Sequence, residues 1–94
     1  MDDRSKLRRK VWKAKFADSE VGACCYCDCT LYYEDATLEH ILARSNGGTD
    51  DFANLDIACE PCNSTKGLIE DRHGVYKLTQ QELIVRILRK RKLT

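Results

Sequence analysis

No stretch of this chain is apolar for long enough to cross a bilayer, which takes about 20 mostly apolar residues in a row. The opening segment, MDDRSKLRRKVWKAK, is highly charged and lacks the apolar core that marks a secretory signal. These absences lead to the expectation of an intracellular, cytoplasmic protein. Internal repeats and low-complexity linkers are missing as well, and 94 residues suit one domain. Net charge is almost absent, at +1. A core of this size is marginal by itself, and short domains usually add a disulfide set or a structural metal. Cysteine, by contrast, is plentiful, with six in the chain. In a reducing compartment paired cysteines are more often metal ligands than disulfides.

The small net charge conceals an uneven distribution. Residues 1–15 carry seven Lys or Arg against two Asp, and residues 79–94 carry five against one Glu. The stretch between, 16–78, holds four basic and twelve acidic residues. Affinity for nucleic acid comes mainly from Lys and Arg neutralising phosphates. If DNA is the partner, the basic ends should grip it, with Arg86 and Arg89 as C-terminal contacts, while the middle holds cations. Two solvated basic helices would give the same pattern.

Leu7, Val11 and Ala14 fall at helical spacing, with Trp12 and Phe16 beside them, which predicts a helix over 4–17. Residues 23–34 read as a cysteine-dense turn running into a β-prone stretch. Strands are expected over 37–41 and 54–59, separated by a loop over 44–51 whose strongest breaker is Gly47-Gly48. Pro61 suits the first turn of a helix and Gly67 its end, so 61–66 should be helical. The stretch 72–78 is ambiguous. Thr79-x2-Glu82 is a capping box opening a helix whose apolar face is Leu83, Ile84, Ile87 and Leu88. The expected division is one domain, 1–94, with a basic N-terminal helix in 1–23, a core in 24–67 and a basic extension in 68–94.

Cys24-x2-Cys27 and Cys59-x2-Cys62 are two metal-binding knuckles. Two intervening residues let a tight turn bring both sulfurs to about 2.3 Å from one tetrahedral Zn²⁺. The length between the knuckles leaves room for a β-hairpin. Cys25-x3-Cys29 could also chelate, and the sequence leaves that swap open; the matching two-residue gap favours Cys24 and Cys27. Four thiolates close the coordination shell, so this zinc should support the fold and do no chemistry.

Within this frame lie Glu39-His40, Asn54 and Asn63. The stretch CCYC … LEHILARSNGGTDDFANLDIACEPCNSTKG resembles the zinc-containing HNH endonucleases in its acidic-His pair, GG loop, Asn-Leu and Cys-x2-Cys-Asn-x2-Lys, over about residues 24–67. Two departures are mild: Glu39 stands where many relatives have Asp, and Asn63 where others have His. The resemblance implies a small α+β fold, a ββα-metal (His-Me finger) core stapled by a four-cysteine zinc site. It implies a metal-dependent endonuclease that hydrolyses DNA and leaves 5′-phosphate and 3′-OH ends. His40 would be the general base, and an imidazole, titrating near pH 6.5 when free, suits that task. Glu39 and Asn63 would supply oxygen ligands to Mg²⁺ or Mn²⁺. Asn54 would tie the loop to the strand and help orient His40. Strand alternation sends Glu39 and His40 to opposite sides, so both can serve one site only if the strand twists or ends there. Lys66, one turn beyond Asn63, is a candidate phosphate contact, and Arg44 sits in the loop where DNA would approach.

Taken singly, these residues have plainer readings: a structural His in a strand, an Asn that caps a turn, a surface Glu. Tyr32 and Tyr33 read as hairpin packing, and His73 as a surface residue. Two rivals remain: a catalytically silent, zinc-stabilised nucleic-acid-binding module, and an interaction module like a degenerate RING, which would need a second set of ligands. A single such site cuts one strand at a time, so a double-strand cut would require a homodimer, two visits or a larger phage or mobile-element assembly.

Overall fold

Five consecutive residues near the middle of the chain, Leu55–Cys59, are all buried, so this strand is covered on both faces and the rest of the molecule is arranged around it. The structure is a computed structural model and describes residues 3–73 and 78–93. The order of elements is α1 (Asp3–Phe16), β1 (Val21–Ala23), β2 (Thr30–Tyr32), β3 (Ala36–His40), β4 (Leu55–Cys59), α2 (Glu60–His73) and α3 (Gln80–Lys90). β1 and β2 form an antiparallel hairpin, and β3 pairs antiparallel with β4, Ala36 opposite Cys59 and His40 opposite Leu55. β3, β4 and α2 make the expected ββα unit within a small α+β fold. No helix among the described residues is long and apolar enough to cross a membrane.

The core forms where α1 and α2 pack on β3 and β4, with α3 packed on α2. Trp12 packs edge-on against Phe16 and Tyr33, with ring centroids 4.7 and 5.5 Å apart. Gly22 permits this packing, because a Cβ there would come within 2.6 Å of the Phe16 ring. From α3, Leu83 and Ile87 are fully buried, as is Ile57 of β4; each contributes roughly 1.5–3 kcal/mol by burial. Asp56, a polar residue inside β4, is held by Lys15 of α1 at 2.9 Å and by Gln80 of α3 at 2.9 Å. One carboxylate thereby ties three elements together.

Most element expectations agree with the structure within a residue or two. The capping box at Thr79 is formed, its hydroxyl accepting from the Glu82 amide at 3.2 Å. One expectation fails. The helix that begins at Glu60 does not end at Gly67 but continues to His73. A mid-helix glycine costs about 0.5–1 kcal/mol, and burial of Ile69 together with an ion pair between Lys66 and Glu70 one turn apart offsets it. The helix therefore runs across the expected division between 67 and 68. Residues 74–77, within the ambiguous stretch, and the His73 side chain lie outside what the structure describes.

Candidate active site and metal centre

The two cysteine knuckles come from opposite ends of the fold. Cys24 and Cys27 lie in the turn joining β1 to β2, Cys59 ends β4, and Cys62 sits in the first turn of α2. Their four sulfurs all lie within 4.8 Å of one another, with Cys27 and Cys59 3.8 Å apart. A tetrahedral site with metal–sulfur bonds of about 2.3 Å has sulfur–sulfur edges of about 3.8 Å, so the cluster fits a metal ion. The knuckle turn is closed by hydrogen bonds from Asp28 N to Cys24 O and from Cys24 N to Cys29 O, both 3.0 Å. The Cys25 amide donates to Ile57 O at 2.9 Å and fastens the turn to β4. Cys25 stands outside the cluster and burial pushes its thiol up, while the exposed Cys29 borders it, its thiol within reach of Cys27 and Cys59. Arg91, at the end of α3, donates to Cys62 Sγ at 3.0 Å and approaches Cys59 Sγ at 3.8 Å. Its positive charge would offset part of the charge of four metal-bound thiolates. No spacing in the sequence singles out this arginine, because it reaches the cluster only through the docking of α3.

A cleft of about 640 Å³ opens between β3, the loop after it and α2, with Ser5 and Arg8 of α1 on its border. Glu39, His40, Arg44, Asn63 and Lys66 all line it. β3 stops at His40, and that ending lets adjacent strand residues reach one cavity despite alternation.

The His40 imidazole is held by Asp50, with Nε2 2.8 Å from Asp50 Oδ1. The hydrogen bond with His40 keeps the Asp50 carboxyl below the usual carboxylate range. An ionised carboxylate can only accept, so Nε2 donates to it, and in the neutral imidazole this tautomer puts the lone pair on Nδ1. Asp50 is the partner of His40 that the sequence did not single out. The GGTDD segment offers two neighbouring acids, and Asp51 instead accepts from the Thr49 hydroxyl at 3.0 Å.

The loop carrying Asp50 is pinned from beneath by Asn54. Its Oδ1 accepts from Leu42 N at 2.8 Å, and its Nδ2 donates to Thr49 O at 2.8 Å and Leu42 O at 3.1 Å. The glycine pair is a steric requirement here. Gly47 has φ +93°, and a Cβ on Gly48 would lie 1.8 Å from Leu42 O. Asn54 thus holds the loop that carries Asp50.

Glu39 is buried at 3% exposure, facing Lys66 at 3.5 Å and accepting a short hydrogen bond from the Tyr26 hydroxyl. Burial raises its carboxyl above the usual range, and Lys66 and Tyr26 oppose that shift. The tyrosine hydroxyl is itself pushed up by burial and by the Glu39 charge. Asn63, which lines the cleft, donates through Nδ2 to Thr37 Oγ1 at 3.2 Å. The oxygens around the Lys66 ammonium are of the donor type that a hard cation takes.

Lys66, expected to meet a phosphate, is turned inward at 3% exposure, its ammonium held by His40 O at 2.8 Å and Glu70 at 3.2 Å as well as by Glu39. Arg44 remains exposed at the cleft rim, 3.9 Å from Asp50. Arg86 and Arg89 are exposed on α3, but they border a different depression, beside Ile69 and Lys90. Arg8 is turned to the protein, donating to Ala36 O at 2.7 Å and Tyr33 O at 3.1 Å while lying 4.4 Å over the Tyr33 ring.

The model of the family described as HNH endonuclease matches residues 24–78, which contain both knuckles, the Glu39-His40 pair, Asp50, Asn54 and Asn63. The chain belongs to the HNH endonuclease family. It is also similar to the CRISPR-associated endonuclease Cas9 of Corynebacterium diphtheriae, 28% identical over 61 residues. That match covers 64% of this chain and 6% of the other, so the HNH chain corresponds to a small part of its relative. No solved structure matches. α1 and α3 lie outside the family match, although α3 supplies two fully buried core residues and the arginine against the HNH cysteine cluster.

Proposed function

We propose that this HNH chain is an endonuclease that hydrolyses DNA phosphodiester bonds with a divalent cation, on a fold stapled by zinc at Cys24, Cys27, Cys59 and Cys62. The observation that carries the reading is the His40–Asp50 pair, bonded through Nε2, in one cleft with Glu39 and Asn63. His40 Nδ1 takes the proton of the attacking water, and the Asp50 carboxylate fixes the tautomer and steadies the imidazolium that results. A positioned base of this kind contributes about 10²–10⁴-fold. Asn54 and the Gly47-Gly48 turn hold Asp50 in register. Glu39 and the Asn63 amide oxygen would hold Mg²⁺ or Mn²⁺. Such a cation supplies Lewis-acid polarisation of the scissile phosphate and stabilises the leaving 3′ oxygen, leaving 5′-phosphate and 3′-OH ends. Arg44 at the rim meets the DNA backbone, and Arg86 and Arg89 add sequence-independent affinity from a neighbouring surface.

The test is incubation of zinc-loaded protein with supercoiled plasmid and Mg²⁺ or Mn²⁺, beside an EDTA control and His40→Ala. Nicked or linear product from the wild type alone is expected. Folded protein that cuts with neither metal would replace this reading with a DNA-binding module. Equal cutting by His40→Ala would remove His40 as the base.

A further inference from the structure

A buried lysine inside a metal nuclease cleft needs a reason. Lys66 is 3% exposed, and its ammonium has three oxygen neighbours: His40 O at 2.8 Å, Glu70 Oε1 at 3.2 Å and Glu39 Oε2 at 3.5 Å. Burying an ammonium is expensive unless it is paired and hydrogen-bonded, and here all three partners are oxygens. Two are carboxylates, of the same chemistry that a hard divalent cation selects. One of the two is Glu39, the carboxylate assigned to the catalytic cation above. The other, Glu70, lies one helical turn beyond Lys66 on α2 and borders the same cleft.

We propose that Lys66 is the resident cation of the Glu39–Glu70 pair and that a divalent cation entering at Glu39 displaces it, with Glu70 retaining the ammonium. This deepens, and rests on, the reading of Glu39 as a ligand of the catalytic cation. The physical reason is charge. The apo cluster carries two carboxylates and one ammonium. Adding a dication beside a fixed ammonium puts two cations within a few ångströms of each other in a buried place, where repulsion is poorly screened. Moving the ammonium relieves it, and a lysine stem is long and flexible enough to swing. Glu70 is suited to hold it, because residues four apart on a helix are neighbours on one face and the pair is already made at 3.2 Å. The same movement releases the His40 carbonyl, so filling the metal site is coupled to the backbone of the base. On this account the lysine keeps the Glu39 side chain paired and ordered before metal arrives, at the expense of metal affinity.

Two measurements on zinc-loaded protein test the exchange. In the first, wild-type protein is acetylated with N-hydroxysuccinimide acetate while Mn²⁺ is titrated, and modification of Lys66 is followed by peptide mass spectrometry. Lys66 should be protected without Mn²⁺ and become several-fold more reactive as Mn²⁺ binds, with Lys10 and Lys13 unchanged as exposed references. In the second, Mn²⁺ affinity is measured by electron paramagnetic resonance for wild type, Lys66→Met and Glu39→Gln. Lys66→Met should bind on the order of tenfold more tightly, since a nearby like charge has been removed. Glu39→Gln should bind more weakly.

Mn²⁺ binding that depends on Glu39, with Lys66 protected throughout, would overturn the exchange and leave the nuclease reading standing. Equal or weaker binding by folded Lys66→Met would do the same. If Lys66→Met does not fold, the wild-type acetylation profile decides alone. Binding that ignores Glu39→Gln would remove both the exchange and the assigned metal ligand.

Discussion

Replacing Asn54 with alanine removes three hydrogen bonds at once, to Leu42 N, Leu42 O and Thr49 O. Each is worth about 0.5–1.5 kcal/mol net. Asn54 is only half-buried, so water recovers part of the loss, and a destabilisation of about 2 kcal/mol is expected. Set against a stability of about 5–15 kcal/mol for an ordinary domain, the variant stays folded. With a urea slope of about 1–3 kcal/mol/M, its midpoint should fall by roughly 1 M. Asn54→Asp is the sharper test, because its shape is unchanged. A carboxylate keeps the acceptor for Leu42 N but loses both donors and turns an anionic oxygen toward two carbonyl oxygens. At pH 7 it should therefore be no more stable than Asn54→Ala. The sign of its pH dependence follows. Those carbonyls raise the new carboxyl above its unfolded value of about 3.9, so the folded state binds the proton more tightly. Lowering the pH from 7 to 5 should then favour the Asp variant relative to the Ala variant. Because the loop carries Asp50, both variants should also lose about tenfold or more in kcat/KM, on the scale of about 1.36 kcal/mol per tenfold. An Asp variant as stable as wild type at pH 7 would refute the donor assignment on which the loop argument rests.

Gly48→Ala puts a methyl group where Leu42 O already stands, so the loop must shift at a cost of about 1–3 kcal/mol; a urea midpoint equal to wild type would refute the close approach. Asp50→Asn should lower kcat by about tenfold with little change in KM. The carboxyl is held low by His40, so the advantage of wild type over Asp50→Asn is present at neutral pH and fades as pH falls through the folded value; a stability difference that grows toward acid would contradict the pairing. Stripping the metal with a chelator, or replacing Cys62 with alanine, should abolish the cooperative melt. Structural zinc contributes apparent free energies of about 10–16 kcal/mol in small domains, as much as a chain of this size has to lose. Unchanged near-ultraviolet circular dichroism after chelation would end the assignment of the four cysteines to a metal.

The sequence by itself determined what depends on local order. Cysteine spacing favoured two x2 knuckles because such a turn lets both sulfurs converge, and although it left Cys25 and Cys29 open, the cluster is Cys24, Cys27, Cys59 and Cys62. The capping box and helical periodicity located α3 because both are contacts between residues three or four apart. The glycine pair marked the loop for a reason that its φ and its approach to Leu42 O make explicit. What tertiary structure decided is everything carried by residues distant in sequence. The same local rule that located α3 ended α2 too early, because the Lys66–Glu70 pair and the burial of Ile69 outweigh one glycine. Asp50 rather than Asp51 holds His40 because of how the Asn54-pinned loop folds back, which no spacing specifies. Arg91 meets Cys62 only because Leu83 and Ile87 dock α3 against the core. Lys66 looked like a phosphate contact because its charge was legible and its direction was not. A charge belongs to the residue type, whereas the partners it faces, two carboxylates and a carbonyl, are set by the packing of α2 on β3.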